Sequence, residues 1–291
     1  MKKKILITGS EGFLGKNFCK NYSKNYNFIK YDKKINGDLS LKKTFPSVDI
    51  VLHLAAFNST KDFYNKPLEV IYDNLIPTIN LIKFYSKIKK KPLFIFTGTP
   101  EIASGAVELF NYKIPTDEKV PSVIPDLLNS RWSYAGSKSI SEQIVIHSKL
   151  NYIIVRPHNV YGPRQINHFI PEFISRSKKQ NINLYGWKNK RCWLYVDDFC
   201  NALHNILNSK NCVNKIINVG SNFEHSVYEV SKEIINIWYP GKKKYILKKN
   251  APLGSVNRRV PDIRKIKKLT GWKPTINLKK GLKKLFDYEN K

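Results

Sequence analysis

A tyrosine and a lysine four residues apart, in the stretch RWSYAGSK at residues 131–138, could form an acid/base pair. Residues at i and i+4 share one face of a helix, so such a phenol and ammonium would point to the same side. The spacing alone is uninformative because the chain is rich in lysine. Six tyrosines have a lysine at i+4, namely Tyr26, Tyr85, Tyr134, Tyr228, Tyr239 and Tyr245. The elements around each pair must therefore decide which one does chemistry.

A glycine-rich turn near the start of the chain has the composition of an anion-binding loop. The segment TGSEGFLG places Gly9, Gly12 and Gly15 in a GxxGxxG spacing, between the apolar run KILIT and a helical pattern. Glycine is required where a chain turns tightly, where backbone touches a pyrophosphate and where a helix packs closely on a strand. The N-terminus of the following helix would face the anion. The order of strand, loop and helix predicts a dinucleotide site.

An aspartate at the end of the second apolar run indicates which dinucleotide binds. Asp32 follows the glycine loop at close to the ~20-residue spacing at which a carboxylate binds the adenosine ribose hydroxyls. Its charge would repel a 2′-phosphate, so NAD is favoured over NADP, although Lys33 and Lys34 keep NADP open. Asp38 and Leu39, in the sequence GDLS, could frame the adenine, but an ordinary turn is an equal alternative for the aspartate.

Apolar runs of strand length alternate with helix-length stretches in the first half of the chain. The predicted strands cover residues 4–8, 27–32, 49–55, 93–97 and 151–157. Continuous apolar strands separated by helices indicate a parallel sheet with helices on both faces. We therefore predict an α/β fold: a Rossmann-type doubly wound parallel sheet with a smaller C-terminal substrate-binding lobe.

The composition of the chain limits the kinds of partner that it is expected to bind. A formal charge of +29 raises nucleic-acid or membrane binding as alternatives, but only eight of the 51 basic residues are arginine and the lysines are dispersed. This pattern favours a compositional bias, so we expect neither partner.

The apolar run after the basic start is too short for a signal peptide, and no later stretch reaches about 18 apolar residues, so we expect a cytoplasmic protein. The four cysteines form no CxxC pair, which predicts reduced thiols and no metal site.

Nine segments, taken in order, resemble the extended short-chain dehydrogenases/reductases that act on nucleotide sugars, the NAD-dependent epimerase/dehydratase group. They are TGSEGFLG, YD ending the second strand, HLAA at 53–56, Asn74, GTPE after the fourth strand, YAGSK, RPHNVYGPR, RCWLYVDDF, and NRRVPDI leading to GW at 271–272. Each segment is weak alone, but together they span nearly the whole chain. Their order selects Tyr134 and Lys138 from the six candidate pairs.

The resemblance implies a set of catalytic and cofactor-binding residues. Tyr134 would take the proton of the sugar C4 hydroxyl while hydride passes to the nicotinamide. A free tyrosine has a pKa of about 10, and Lys138, together with the positive nicotinamide, would favour the phenolate. Thr99 would hold the sugar oxygen. The residues implied to bind NAD are Gly9, Gly12, Phe13, Leu14, Gly15, Asp32, Asp38, Leu39, Leu54, Ala55, Ala56, Asn74, Tyr134 and Lys138.

The residues after Thr99 bear on the fate of the oxidised sugar. Dehydratases of the deoxythymidine-diphosphate type resemble Thr-Asp-Glu here, whereas this chain has Pro100 and Glu101. Proline has no titratable group, so the acid of that pair is missing and Glu101 is left as a candidate base. Other branches, including uridine-diphosphate-glucuronate decarboxylases, resemble Thr-Ser-Glu, and plain 4-epimerases usually have no carboxylate there. Epimerisation or elimination is the leading prediction, with a decarboxylase or a net 4-dehydrogenase as alternatives.

Arginine is rare in this chain, and five of its eight occurrences lie in matching segments. A guanidinium binds phosphate through two parallel N–H bonds, which lysine cannot imitate. The resemblance implies that Asn159, Arg191 and either Arg258 or Arg259 hold the diphosphate of a nucleotide sugar.

The resemblance also implies an organisation. Residues 1–157, with parts of about 191–220, would form an NAD-binding Rossmann domain, and residues 158–190 and 221–291 a nucleotide-sugar-binding lobe. The proline-rich segment between residues 99 and 134 is predicted to cross the sugar site as a loop. Helices around 67–88 and 133–150 are the expected surface of a homodimer. A non-catalytic NAD sensor or nucleic-acid binder that keeps the fold is the remote alternative.

Overall fold

The computed structural model describes residues 2–252 and 254–290, and the strands follow the buried aliphatic runs. The strands are β1 (Lys4–Thr8), β2 (Asn27–Tyr31), β3 (Ile50–His53), β4 (Leu93–Thr97), β5 (Tyr152–Pro157), β6 (Val160–Tyr161), β7 (Asn181–Tyr185), β8 (Lys190–Cys192), β9 (Leu194–Tyr195), β10 (Lys215–Val219), β11 (Glu224–Ser226), β12 (Tyr245–Lys249) and β13 (Arg258–Arg259). The α-helices are α1 (Phe13–Tyr22), α2 (Lys33–Asn36), α3 (Thr60–Asn65), α4 (Pro67–Tyr85), α5 (Ser104–Phe110), α6 (Ser133–Ile146), α7 (Phe169–Arg176), α8 (Val196–Asn208), α9 (Val227–Trp238), α10 (Arg264–Thr270) and α11 (Leu278–Glu289).

Six parallel strands form the central sheet, in the order β10-β5-β4-β3-β1-β2. Alternate side chains of β1 enter different cores: Ile5 and Ile7 pack with Phe18 of α1, and Leu6 packs with Tyr85 of α4. Because successive strand residues point to opposite faces, the sheet has helices on both sides. The predicted doubly wound parallel sheet is confirmed.

The chain returns to this sheet after leaving it. Strand β10 pairs in parallel with β5, with Ile217 opposite Val155, although β6 to β9 lie between them in the chain and belong to smaller sheets. With three strands that follow β10, they form a three-stranded sheet, β11-β8-β13, and the pairs β12-β7 and β6-β9. The division into an NAD-binding domain and a sugar-nucleotide lobe remains a prediction.

A buried carboxylate fastens the C-terminal segment to this architecture. Asp198 of α8 accepts hydrogen bonds from the backbone N–H of Thr275 and Ile276, at 2.9 and 2.8 Å, and from the Thr275 hydroxyl at 2.8 Å. The indole of Trp272 donates to the Asp198 carbonyl. These bonds fix the entry to α11, which packs on α9 and β9.

The segment between residues 99 and 134 is more ordered than the loop we predicted. A 3-10 turn at Pro100–Ala103 leads into α5, and a second turn covers Ser130–Trp132. The prediction was wrong for α5 because this helix contains no proline, and Pro100 occupies the first position of the preceding turn, where no N–H is needed. In the part of the chain that the structure describes, no helix is long and apolar enough to span a bilayer.

Candidate functional site

A cleft of about 1390 Å³ runs along the carboxyl ends of the central strands. The glycine loop lines one end, and residues that follow β4 and β5, together with Arg259 of β13, line the other. Ligands of doubly wound sheets bind at this edge because the loops there converge. The cleft is lined by every predicted catalytic residue, namely Thr99, Glu101, Tyr134 and Lys138.

The glycine loop is shaped for an anion. Gly9 has a φ of +69°, and a Cβ there would lie 2.8 Å from the backbone nitrogen of Ala55. A Cβ on Gly15 would lie 2.2 Å from the carbonyl oxygen of Gly9. Gly12 precedes α1, whose N-terminus has no side-chain cap and no acidic residue in its first turn. The uncapped helix N-terminus and the tight turn fit a dinucleotide pyrophosphate.

The acidic end of the cleft holds the predicted ribose and adenine contacts. The Asp32 carboxylate accepts the backbone N–H of Glu11 at 3.0 Å and that of Lys34 at 3.1 Å, so it ties the glycine loop to α2. The ammonium of Lys33 lies 2.7 Å from Asp38, and this bond is the first cause that lowers the pKa of Asp38 to about 2. Lys33 is therefore engaged by Asp38. These positions fit NAD, and their roles in binding it remain predictions.

The predicted residues beyond β3 divide into two groups. Leu54, Ala55 and Ala56 line the cleft beside the glycine loop, as do Phe13, Leu14 and Leu39. Asn74 is buried behind them and does not line the cleft. Its amide accepts from the backbone N–H of Phe57 at 2.9 Å and donates to the Phe57 carbonyl and to the hydroxyl of Ser137. Asn74 thus fastens the cleft wall to α6.

Tyr134 and Lys138 lie one turn apart on α6, at the end of β4. The ammonium of Lys138 lies 4.1 Å from the centre of the Phe96 ring, and the side chain is 2% exposed. Burial lowers the pKa of Lys138 to about 7, while the nearby Glu142 acts in the opposite direction. Thr99 follows β4 and caps the turn after it, where its hydroxyl accepts the N–H of Glu101 at 3.3 Å.

The phenol of Tyr134 is neutral in this environment. Burial and the charge of Glu101 raise the pKa of Tyr134, and a hydrogen bond with Thr99 acts against them. Lys138 is not one of the main groups acting on this phenol. The expectation that Lys138, together with the positive nicotinamide, favours the phenolate remains a prediction.

Glu101 lies between two arginines. Its carboxylate oxygens are 2.6 Å from Nη2 of Arg131 and 3.2 Å from Nη2 of Arg259. Burial would raise the pKa of Glu101, but the charges of Arg259 and Arg131 outweigh it and lower the pKa to about 2. A carboxylate held this firmly is a weak proton acceptor at neutral pH, so its predicted role as a base gains no support.

The predicted substrate residues occupy different positions. Arg259 and Arg191 line the cleft, whereas Arg258 does not, because its guanidinium pairs with Glu224 at 2.7 Å. The guanidinium of Arg191 donates to backbone carbonyls of residues 190, 256 and 257. Asn159 also lines the cleft and donates to the carbonyl of Cys192 at 3.0 Å. Diphosphate binding by these residues remains a prediction.

Two residues that line the site were not predicted from the sequence. Arg131 belongs to the stretch that also contains Tyr134, and the rarity of arginine could have drawn attention to it. Phe63 of α3 stacks on the ring of Tyr134, with centroids 4.7 Å apart and an angle of 11° between the planes. No pattern in the sequence indicates Phe63, because the contact joins distant segments.

The sequence of this chain is similar to those of known proteins. The model of the NAD dependent epimerase/dehydratase family matches residues 5–220. A UDP-N-acetyl-alpha-D-glucosaminuronate decarboxylase of Bacillus cytotoxicus is 29% identical to the chain, over 99% of the chain and 98% of that protein. A putative UDP-glucose 4-epimerase of Methanocaldococcus jannaschii is 30% identical, over 98% of the chain and 97% of that protein.

The fold also matches solved structures. The UDP-glucose 4-epimerase of Thermotoga maritima, solved with UDP-glucose, superposes with a TM-score of 0.84. That match covers 99% of this chain and 98% of the other, at 23% identity.

Proposed function

Because the chain belongs to the NAD-dependent epimerase/dehydratase family, with NAD as its cofactor, we propose that it oxidises the C4 hydroxyl of a nucleotide sugar with Tyr134 as the base. The observation that carries this proposal is the position of Tyr134. It shares one cleft with the glycine loop and lies beside Thr99 and Lys138 at the end of β4. A sugar hydroxyl at this edge of the sheet can reach the phenol while its carbon faces the dinucleotide site.

The groups around Tyr134 that stabilise its phenolate or carry a proton support this role. When NAD is bound, its positively charged ring accepts the hydride and favours the phenolate. Thr99 stabilises the same charge through its hydrogen bond to Tyr134. Lys138 has a pKa of about 7, so it is partly protonated at neutral pH and can bind a hydroxyl of the cofactor or take up a relayed proton.

The arginines of the cleft favour one outcome of the oxidation. Arg131, Arg191 and Arg259 all line the cleft, and all three charges act on the carboxylate of Glu101. Such a site stabilises an anionic sugar better than a neutral one. We therefore propose a hexuronate substrate, whose C6 carboxylate pairs with Arg131 or Arg259. The Bacillus cytotoxicus relative is named for a uronate decarboxylase, which agrees with this substrate class.

Decarboxylation follows from C4 oxidation without a further reagent. The 4-ketone makes the sugar a β-keto acid, so the electrons of the C5–C6 bond pass to the C4 oxygen as carbon dioxide leaves. A proton from solvent then adds to C5, bound NAD would supply the hydride that reduces C4 again, and Tyr134 would return its proton to the C4 oxygen. Glu101 remains anionic and orients Arg131 and Arg259, which does not require it to accept a proton.

The test is turnover of matched charged and neutral substrates. Purified protein is incubated with UDP-glucuronate, UDP-N-acetylglucosaminuronate, UDP-glucose and UDP-N-acetylglucosamine, and carbon dioxide and sugar products are measured. We expect carbon dioxide and a UDP-pentose from at least one uronate. Turnover of the neutral sugars alone would replace decarboxylation by epimerisation or dehydration. No turnover at all, with NAD bound, would overturn the proposed oxidation.

A pair of tyrosine variants tests the base directly. Tyr134→Phe should lower turnover by ~10²–10⁴-fold with little change in NAD content. Tyr228→Phe is the matched control, because Tyr228 also has a lysine four residues later but does not line the cleft. Equal activity of the two variants would contradict the assignment.

A further inference from the structure

The phenyl ring of Phe63 joins the predicted base to the arginine that holds Glu101. Phe63 is 2% exposed and lines the cleft. One contact is the near-parallel stack on Tyr134, with centroids 4.7 Å apart. The other is the guanidinium of Arg131, whose central carbon lies 5.4 Å from the centre of the Phe63 ring. One apolar side chain therefore contacts both groups.

The position of Phe63 is itself fixed by the wall of the cleft. Its backbone N–H donates to the carbonyl of Ser59 at the start of α3. The segment just before α3 is held by Asn74, which bonds both backbone groups of Phe57. Asn74 also donates to Ser137, whose hydroxyl donates to the carbonyl of Tyr134 at 2.9 Å. The ring and the backbone of Tyr134 are thus tied to the same wall.

We propose that Phe63 is a positioning residue, which holds the Tyr134 ring and the Arg131 guanidinium in fixed relation so that one substrate pose serves both C4 and the C5 substituent. This inference rests on the proposed function. A tyrosine side chain has two free torsions, and a stack on a buried ring restricts both. The central carbon of the Arg131 guanidinium also lies 5.7 Å from the centre of the Trp132 ring, so two aromatic side chains lie near this group.

A simple packing role for Phe63 makes a different prediction from a positioning role. If Phe63 only fills space, replacing it lowers stability and leaves the chemistry of the folded enzyme unchanged. If it positions Tyr134, loss of the ring frees the phenol and lets water reach it. Burial is the main cause that raises the pKa of Tyr134, so added water should move the activity profile to lower pH.

The experiment compares three variants on a uronate substrate, with NAD bound. Phe63→Leu keeps most of the volume without a ring, Phe63→Ala removes both, and Phe63→Tyr restores a ring. We expect kcat to fall ~10–100-fold in Phe63→Leu, with a smaller change in KM, because misplacement of a reacting group by about 1 Å costs ~10²-fold. The acid limb of the kcat profile should also shift to lower pH in that variant, and Phe63→Tyr should recover most of both effects.

Outcomes separate this inference from the proposed function. A folded, NAD-containing Phe63→Leu enzyme with wild-type kcat and wild-type pH profile would overturn the positioning role. If Phe63→Ala fails to fold, Phe63→Leu still decides, because its melting temperature and NAD content are measured beside its kinetics. If Tyr134→Phe retains turnover, the proposed function fails, whatever the Phe63 variants do.

Discussion

Two buried carboxylate–arginine pairs differ in position, because one lies outside the cleft and the other lines it. In the first, Glu142 of α6 binds Arg156 of β5 through two hydrogen bonds, at 3.0 and 2.6 Å. In the second, Glu101 binds Arg131 at 2.6 Å and Arg259 at 3.2 Å. All of these side chains are about nine-tenths buried.

The two pairs differ in which donors remain unpaired. Arg156 uses its third nitrogen to donate to the carbonyl of Glu118, at 3.4 Å, so all of its nitrogens have an acceptor. Among the residues that the structure describes, Nη1 of Arg131 and Nε of Arg259 have no hydrogen-bond partner. A buried donor without a partner costs ~1–3 kcal/mol, which a ligand can recover. Burial of an ion pair does not mark a functional site, whereas unused donors beside a cleft do.

The largest expected effect is a loss of stability when the pair of Glu142 and Arg156 is broken. Arg156→Ala leaves Glu142 charged and unpaired in the core, and we expect the free energy of unfolding to fall by ~3–5 kcal/mol. Urea denaturation measures this change. Arg264→Ala is the control, because its side chain is 86% exposed and pairs only at the surface, and it should leave the free energy of unfolding almost unchanged. Similar losses in both variants would show that burial does not set the strength of the first pair.

A smaller effect is expected from the glycine that faces the same pair. A Cβ on Gly98 would lie 2.2 Å from an oxygen of Glu142, which cannot retreat because Arg156 holds it. We expect Gly98→Ala to lower stability by ~1–3 kcal/mol, measured by urea denaturation. Gly136→Ala, whose nearest neighbour would be 3.9 Å away, should be neutral or stabilising because it lies within α6. A neutral Gly98→Ala would mean that Glu142 can move.

Substitution of Glu101, which binds Arg131 and Arg259, should change activity more than stability. Glu101→Gln keeps the shape of the side chain, and the cleft lets water solvate Arg131 and Arg259, so we expect a stability loss of only ~1 kcal/mol. Turnover of a uronate should fall ~10²-fold or more, because the guanidinium groups lose the carboxylate that orients them. Steady-state kinetics and urea denaturation of the same preparation test both statements. A variant with full activity would remove Glu101 from the mechanism.

The smallest effect is a dependence on pH. The pKa of Glu101 in the folded protein is about 2, below its ordinary value of 4.5. The stability that this carboxylate contributes is therefore fully present above pH 4.5 and is lost as the pH falls towards 2. The difference in unfolding free energy between wild type and Glu101→Gln should be constant from pH 7 to pH 5 and decrease below pH 4.5. A difference that changes above pH 5 would contradict the low pKa.

The two sides of the molecule also differ in how well the sequence predicts them. The glycine loop and its flanking elements were predicted because strand, turn and helix are adjacent in the chain, and β1 and β4 have the predicted bounds. The arginine-lined end was predicted only in part, because it is assembled from segments around residues 101, 131 and 259. Arg258 and Arg259 are identical neighbours in sequence, and only the pairing of β13 with β8 decides which one reaches the cleft.

Sequence spacing does not predict the pKa of groups that are buried in the folded protein. The pKa of Tyr134 is raised and that of Lys138 lowered, which the helical spacing of the pair cannot reveal. The spacing predicts proximity, but it says nothing about the water that each group loses. The contact between Phe63 and Tyr134 was missed for a related reason, since it joins a short helix to a distant one.

Arg259 comes after the other residues of the site in the chain, and this order has a consequence for biosynthesis. Chains emerge from the ribosome N-terminus first, and domains generally fold as units during synthesis. The glycine loop, Tyr134 and Lys138 therefore leave the ribosome before Arg259, α10 and α11 do. A nascent chain at that stage has the predicted dinucleotide-binding segments but only one of the two guanidinium groups that flank Glu101, so the site is complete only after Arg259 has been translated.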